Sequence, residues 1–441
     1  MNVLLDAVSP VLRAVASPHV GIVPVVEECL ASVDEPPLVR ISCDPAAGDE
    51  LIGASLGHVG GLGGTGLSRE AAVGAAIGEA VERYSATYLP HERIVLACAD
   101  ELGAGVVPPD SFALFHDSQY ARTGFPFVPF TRNTRARWVE GRELTSGAPA
   151  WLPAELVFLG DVVRPGEQRI GYATSSGMAC AESAELATER GLLELLERDA
   201  FMLVWSNRIS PPRLDWSHVA TMLALEQRYF APTGLDYVAL DLSAFHHLPI
   251  VLAVVRAEGA GPGALGVGAA AAAEPERAWW KALSEAFASR GAGRRLALHN
   301  PERTYAQDGS DVLTFEDHIH YYSDPGRAAG AVFLTASSER ARVDELPALG
   351  GRTSADRLEE LAARAHRAGS QVYVVDVTSP DVRSVGLCVV KVVTPGLCPL
   401  DVAHPARFLG APRLLDMSER DGLTARCRSV EDLNPLPHPF P

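Results

Sequence analysis

The chain has 441 residues, of which 47% are hydrophobic, a mean hydropathy of +0.08 and a formal net charge of −17. That length exceeds one simple core, so two or three lobes are expected, and the composition is that of a globular enzyme rather than a disordered or fibrous chain. So acidic a balance excludes a nucleic-acid partner, which wants a basic face, but not a phosphate ligand held through a metal, because the cation supplies positive charge locally.

In chain order, residues 1–60 carry weak periodicity and several Pro and Gly breaks, with one strand expected at 38–42. The start lacks a basic region and a long apolar core, which predicts no signal peptide. A helix then begins at Ser68, a good N-cap, with Glu70 in its first turn and Pro90 beyond its end. Short strands and turns are expected over 91–165, with Trp138, Trp151 and the aromatics of 125–130 as core contacts. A second long helix is expected from 183 to 207. Strands follow at 237–242 and 250–256, then a third helix from Pro275 to Gly291. The rest reads as strand 331–335, helix 355–368 and strands 372–377 and 387–393. Strands around long helices imply an α+β, or mixed α/β, fold.

The longest apolar run, 264–273, is Gly/Ala-rich and far short of a bilayer span, so neither a membrane segment nor a membrane partner is expected. The seven cysteines (Cys29, Cys43, Cys98, Cys180, Cys388, Cys398, Cys427) form no CxxC pair. Free thiols in a reducing compartment follow, and a cytoplasmic location is expected.

The feature that carries chemistry is a doubled ExxER: Glu79-Ala80-Val81-Glu82-Arg83 and Glu194-Leu195-Leu196-Glu197-Arg198. Residues i and i+3 share a helix face, so each copy aims two carboxylates one way. The frames are apolar (Ala75, Ala76, Ile77, Val81; Leu192, Leu193, Leu195, Leu196), and buried like charges are costly unless a cation neutralises them. Four such carboxylates suggest magnesium, which usually arrives with phosphates. The plainer reading, two surface helices with internal Glu–Arg pairs, stays open. No other repeat is visible.

Residues 61–66, GLGGTG, formally match GxGxxG. A dinucleotide site needs a strand directly before it, and Gly57-His58-Val59-Gly60 makes a poor one. The segment suits a turn that accepts an anion at a helix N-terminus. The 13 histidines show no HExxH, and a serine or cysteine nucleophile is not expected. His246-His247 and His318/His320 are expected as surface or capping residues. Lys391 lies in an apolar strand and needs a partner. The terminal residues 435–441, PLPHPFP, alternate proline to the end, either as a disordered polyproline tail or partner ligand, or as a stiff arm that places the terminal carboxylate.

These segments together resemble the YcaO-domain family, and more narrowly the D component of azoline-forming peptide cyclodehydratases. The resemblance runs through 63–70 (GGTGLSRE), 78–85 (GEAVERYS), 174–179 (TSSGMA), 193–201 (LELLERDAF), 282–286 (ALSEA), 389–397 (VVKVVTPGL) and 434–441 (NPLPHPFP). It implies an N-terminal segment over 1–60, a catalytic domain over 61–430 and a tail over 431–441. It further implies ATP and Mg2+, with Glu79, Glu82, Glu194 and Glu197 on the metal. Gly64, Thr65, Ser68, Arg83, Ser175, Ser176, Arg198, Glu285 and Lys391 face the nucleotide, and the carboxylate of Pro441 is a candidate base. Thr65 stands where the family usually has lysine, and Lys391 where it usually has arginine. The implied partners are a precursor peptide, a ThiF-like or ubiquitin-activating-enzyme-like protein that binds its leader, and a second copy in a homodimer. Two further readings stay open: a non-catalytic or partner-activated member, and an enzyme that uses an external nucleophile to make a thioamide or amidine.

Overall fold

The structure is a computed structural model and describes residues 2–6, 8–46, 62–159, 167–259, 261–420 and 429–441. Cys427, Gly61 and the GHVG segment before it lie outside the described residues. The chain forms two compact units: the first of residues 1–30, 38–195 and 351–396, the second of 31–37, 196–350 and 397–441. Helices and several sheets make it a mixed α+β protein, as the pattern predicts.

In the first unit, strands Val25–Cys29, Val39–Asp44 and Leu62–Gly66 form a three-stranded antiparallel sheet. The helix Arg69–Thr87 packs on it. Its start is where the sequence puts it, because the Ser68 hydroxyl accepts from the Ala71 amide. The glycines of residues 62–66 are not an anion-accepting turn. They lie in a strand, and a Cβ on Gly64 would collide with the Ala72 carbonyl and the Ala76 amide, so glycine is what lets the helix lie flush. The unit's larger sheet runs Ile94–Ala97, Ala136–Glu143, Tyr373–Asp376, Cys388–Val393 and Met178–Ala181, with Pro149–Pro153 also paired to Ala136–Glu143. Trp138 is fully buried there, and its indole donates to the Ala97 carbonyl.

The second unit is built on a sheet ordered Leu265–Ala271, Ile250–Arg256, Asp236–Asp241, Arg213–Asp215 and Arg340–Arg342, antiparallel except for the last pair. The third helix runs Pro275–His299 and passes through Gly291 instead of ending there. Gly291 survives inside the helix because a Cβ would strike the Glu35 carboxylate. Residues 331–335 belong to a 3-10 helix, Ala329–Thr335, and not to a strand. The long helix Ala184–Ser206 contributes residues to both units. Among the described residues no helix is long and apolar enough to cross a membrane.

His246, expected at the surface, is buried and bonds Asp199 at 2.8 Å. Arg413 (3.0 Å) and the Cys398 amide (2.8 Å) complete the shell of Asp199. Burial pushes this carboxyl up, but Arg413, His246 and Cys398 outweigh it and hold the group at about 2. Asp199→Asn removes the negative charge that Arg413 and His246 share in the interior, so denaturant unfolding should show a loss of roughly 3–5 kcal/mol.

Candidate functional site

Each carboxylate helix follows a strand that ends its sheet, and the strand tells each glutamate where to sit. The strand Leu62–Gly66 is the last of its sheet, and the Gly63 amide donates to Glu79 Oε2 at 3.1 Å. Met178–Ala181 is the last of the larger sheet, and the Gly177 amide beside it donates to Glu194 Oε2 at 2.9 Å. In the second unit, Leu265–Ala271 is again an end strand, with the Ala269 amide bonded to Glu285 Oε2 at 3.1 Å and the Ala271 amide to Glu197 Oε2 at 2.9 Å. An end strand leaves every second N–H unpaired, and a carboxylate is the strongest acceptor available to it.

The strand–helix unit therefore occurs three times, not twice. Its third copy escaped the sequence pattern because Ala288 and Ser289 stand where the other helices carry the second glutamate and the arginine. The recurrent signal was spacing: glutamate falls 16 residues after the donor in Gly63–Glu79 and Ala269–Glu285, and 17 after it in Gly177–Glu194.

Within the first unit, Glu79, Glu82, Arg83, Glu194 and Lys391 form one electrostatic group. Arg83 reaches Glu79 Oε1 (3.2 Å) and Glu82 Oε1 (3.4 Å), so both of these contacts stay inside its own helix. The Glu82 side chain is 13% exposed. Burial, then repulsion from Glu194 and Glu79, pushes its carboxyl up to about 8, against Arg83 and Lys391. Lys391 is 5% exposed and is pushed down to about 8, chiefly by burial, against the pull of Glu194 and Glu82.

The partners Lys391 needs are the carbonyls of Thr174 and Ser176, each 2.7 Å from its ammonium. The lysine thus shapes the Ser175-Ser176 loop. Gly177 closes that loop with a φ of 80°, where a Cβ would meet the Val392 carbonyl and the Leu195 side chain. Lys391→Met strands both carbonyls. Steady-state kinetics should show KM for ATP raised about tenfold, with kcat changed less.

The hydroxyl of Ser68 is spent on capping its helix. Thr65 has Arg40 directly across the strand pair, which sequence reading missed because only the register reveals it. Residues opposite one another in a ladder share a face, so a guanidinium stands beside the position where the resemblance expects a lysine.

In the second unit, Arg198 lies 3.4 Å from Glu197 and sits over the Phe440 ring, 4.4 Å from its centroid. The tail is neither disordered nor a loose arm. Phe440 is 0% exposed and packs on Phe201. The Trp205 indole donates to the Leu436 carbonyl, Tyr322 to that of Pro437, and His318 bonds that of His438. His318, expected as a capping or surface residue, is wholly buried.

The donors suit magnesium: they are hard oxygen ligands, and the half-buried, mutually repelling charge at Glu82 is what a divalent cation relieves. Among the described residues, no three His, Cys, Asp or Glu side chains are gathered as a ready-made metal cluster.

The carboxylates do not by themselves name a ligand, but the family is identified directly. The model for "YcaO cyclodehydratase, ATP- and Mg2+-binding" matches residues 63–398, and the chain belongs to the YcaO family. An uncharacterized protein of Methanothermobacter thermautotrophicus is 25% identical over 343 residues, 76% of this chain and 80% of that protein. Among solved structures, a heterocyclase in complex with substrate and cofactor superposes with a TM-score of 0.79 at 23% identity, over 99% of this chain and 57% of that one. YcaO from Methanopyrus kandleri, bound with AMPPCP and Mg2+, superposes with a TM-score of 0.59 at 22% identity, over 85% of this chain and 86% of that one. These two likenesses show the fold. The chain spans 57% of the length of the heterocyclase it matches.

Proposed function

We propose that the chain is an ATP- and Mg2+-dependent cyclodehydratase that turns Cys, Ser or Thr of a ribosomally made precursor peptide into a thiazoline or oxazoline. The observation that carries this reading is the Glu79–Glu82–Glu194 group facing Arg83 and Lys391 in a chain of the YcaO family. Glu79, Glu82 and Glu194 would hold magnesium, with Glu197 one turn beyond Glu194 on the same helix. The bound ion would neutralise phosphate charge. In the first unit Gly64, Thr65, Ser68, Ser175, Ser176 and Arg83 line the nucleotide, and Arg40 supplies the cation that Thr65 lacks. Lys391 serves by holding the serine loop.

The peptide's thiol or hydroxyl attacks the carbonyl carbon of the preceding amide and its proton passes to the amide oxygen. That oxygen then exchanges the proton for the γ-phosphoryl group of ATP, releasing ADP and H+. The carbon–oxygen bond then breaks with phosphate as the leaving group. The carboxylate of Pro441 takes the amide proton as the C=N bond forms. The protein's task is positioning and charge neutralisation.

The test is mass spectrometry of a precursor peptide incubated with ATP and Mg2+. Loss of one water per ring, matched by phosphate release, is expected, whereas exchange of oxygen for sulfur or nitrogen would overturn the azoline reading. A ThiF-like protein that presents the leader, and a second copy of the chain, complete the proposed assembly. Turnover of a leader-bearing peptide should rise sharply when that partner is added. Leader-dependent turnover of equal rate without it would sink the partner proposal.

A further inference from the structure

The C-terminal tail is seated by a histidine whose two ring nitrogens both face carbonyl oxygens. His318 Nδ1 is 2.7 Å from the His438 carbonyl and Nε2 is 2.9 Å from the Val402 carbonyl. A carbonyl has no hydrogen to give, and a neutral imidazole has one N–H and one lone pair. A neutral His318 therefore satisfies one of these oxygens and sets a lone pair against the other. Only the imidazolium, with both nitrogens protonated, donates to both at once.

The neighbouring histidine is in the complementary state. His438 Nε2 faces the Asp401 carbonyl at 2.8 Å, while its Nδ1 accepts from the Phe440 amide at 3.2 Å, which is the pattern of a neutral ring. The His318 and His438 rings are stacked, with centroids 4.0 Å apart and an interplanar angle of 14°. With His318 protonated, a cationic ring lies on a neutral one, and the neutral one holds the amide of the penultimate residue.

We propose that His318 is a positioning residue for the C-terminal tail, acting as a proton-gated latch that seats residues 438–441 only when both of its ring nitrogens carry hydrogen. Its consequence for catalysis rests on the reading that Pro441 acts at the reacting amide; the latch itself does not.

The groups that face the latch set its working range. Asp317, on its own helix, favours the cation; His438, from the tail, opposes charge there, and His404 lies close enough to feel it. Beyond them, Arg198 disfavours a charge on His438, while His404 is pressed by Arg407 and relieved by Asp308. Burial pushes His318 below the ordinary imidazole value, against both carbonyls and Asp317. Burial pushes His438 well below it and His404 down to about 3. Acidification gives His318 its second ring proton and tightens the latch, and the lowered value of the ring places that change on the acid side of the ordinary imidazole range.

Hydrogen exchange of the C-terminal peptide, corrected for the intrinsic pH dependence of exchange, reads the latch in the wild-type chain. Protection of the Phe440 amide should fall about tenfold or more as pH rises from the acid side up to the ordinary imidazole value of 6.5. Flat protection across that range overturns the proposal. Imidazole 15N spectra give a second readout that needs no variant to fold, a His318→Phe sample serving only to assign the signal. Two protonated nitrogens on His318 at the acid end are expected, and a single-proton tautomer throughout overturns it. His318→Gln, whose donors sit on a single nitrogen and whose other polar atom only accepts, should show the loosened tail at every pH. Cyclisation rate separates the two readings. A pH-dependent tail with unchanged cyclisation keeps the latch and removes Pro441 from the chemistry, whereas a tail fixed at all pH values removes the latch alone.

Discussion

Glu82→Gln should release phosphate from ATP at least about a hundredfold more slowly than the wild type at saturating Mg2+, while remaining folded. The side chain is nearly isosteric, so what the change removes is charge at the centre of the Glu79–Glu194 group. A ligand to the ion that screens developing phosphate charge contributes several kcal/mol, hence the size of the effect. The same variant has an opposite signature in the metal-free protein. The carboxyl of Glu82 is raised in the fold from 4.5 to about 8 by burial and by its acidic neighbours. A raised carboxyl contributes its full stability below its unfolded value and loses it as pH rises through the folded one. Wild-type apo protein therefore pays an increasing electrostatic cost between those limits, and Gln does not. The thermal midpoint of Glu82→Gln should exceed the wild type's by a few degrees at the alkaline end and converge with it near pH 4.5. A midpoint difference that ignores pH, or ATP turnover at the wild-type rate, would sink the assignment of Glu82.

The second large effect is at the other end of the chain. Extending the protein by a few residues beyond Pro441 should cut cyclisation by at least about a hundredfold, with the thermal midpoint nearly unchanged. Pro441 is partly exposed, so added residues have room, but the terminal carboxylate becomes an amide that cannot accept the proton. Deletion of 437–441 is the poorer test. Those residues carry a fully buried Phe440 and several hydrogen bonds, so truncation costs stability as well as activity. Phe440→Ala alone should destabilise by roughly 3–5 kcal/mol in denaturant unfolding. Normal cyclisation by a C-terminally extended enzyme would leave the tail a docking strand only.

Much of this was legible in the sequence, and the exceptions share a cause. Helix Arg69–Thr87 and strand Ile250–Arg256 fall where caps and periodicity put them, because local chemistry decides those boundaries. Strand Val25–Cys29 was missed because four of its five residues are exposed, which leaves no alternation to read. Residues 331–335 have strand-like composition but close into a 3-10 helix, Ala329–Thr335. The glycines of residues 62–66 read as a turn because glycine signals both a turn and a close approach, and only the packing partner tells which. The carboxylates themselves were found by their doubled pattern. Their fixing to strand amides was invisible, since a backbone donor leaves no mark in residue identity. Arg40 beside Thr65, and the two carbonyls against His318, depend on pairings between distant segments that spacing along the chain does not encode.

The edge position of the three donor strands has a consequence outside catalysis. An uncovered sheet edge is a template on which a foreign strand can add, the usual first step of edge-to-edge aggregation. At Gly63, Ala269 and Ala271 the chain blocks its own edge with the carboxylates of Glu79, Glu285 and Glu197, carried on its own helices. The side chains assigned to nucleotide chemistry thus also act as guards of solubility. Glu285→Ala should sediment partly as higher-order species at concentrations where the wild type does not, so an inactive preparation of it must be sized before its inactivity is read as lost chemistry.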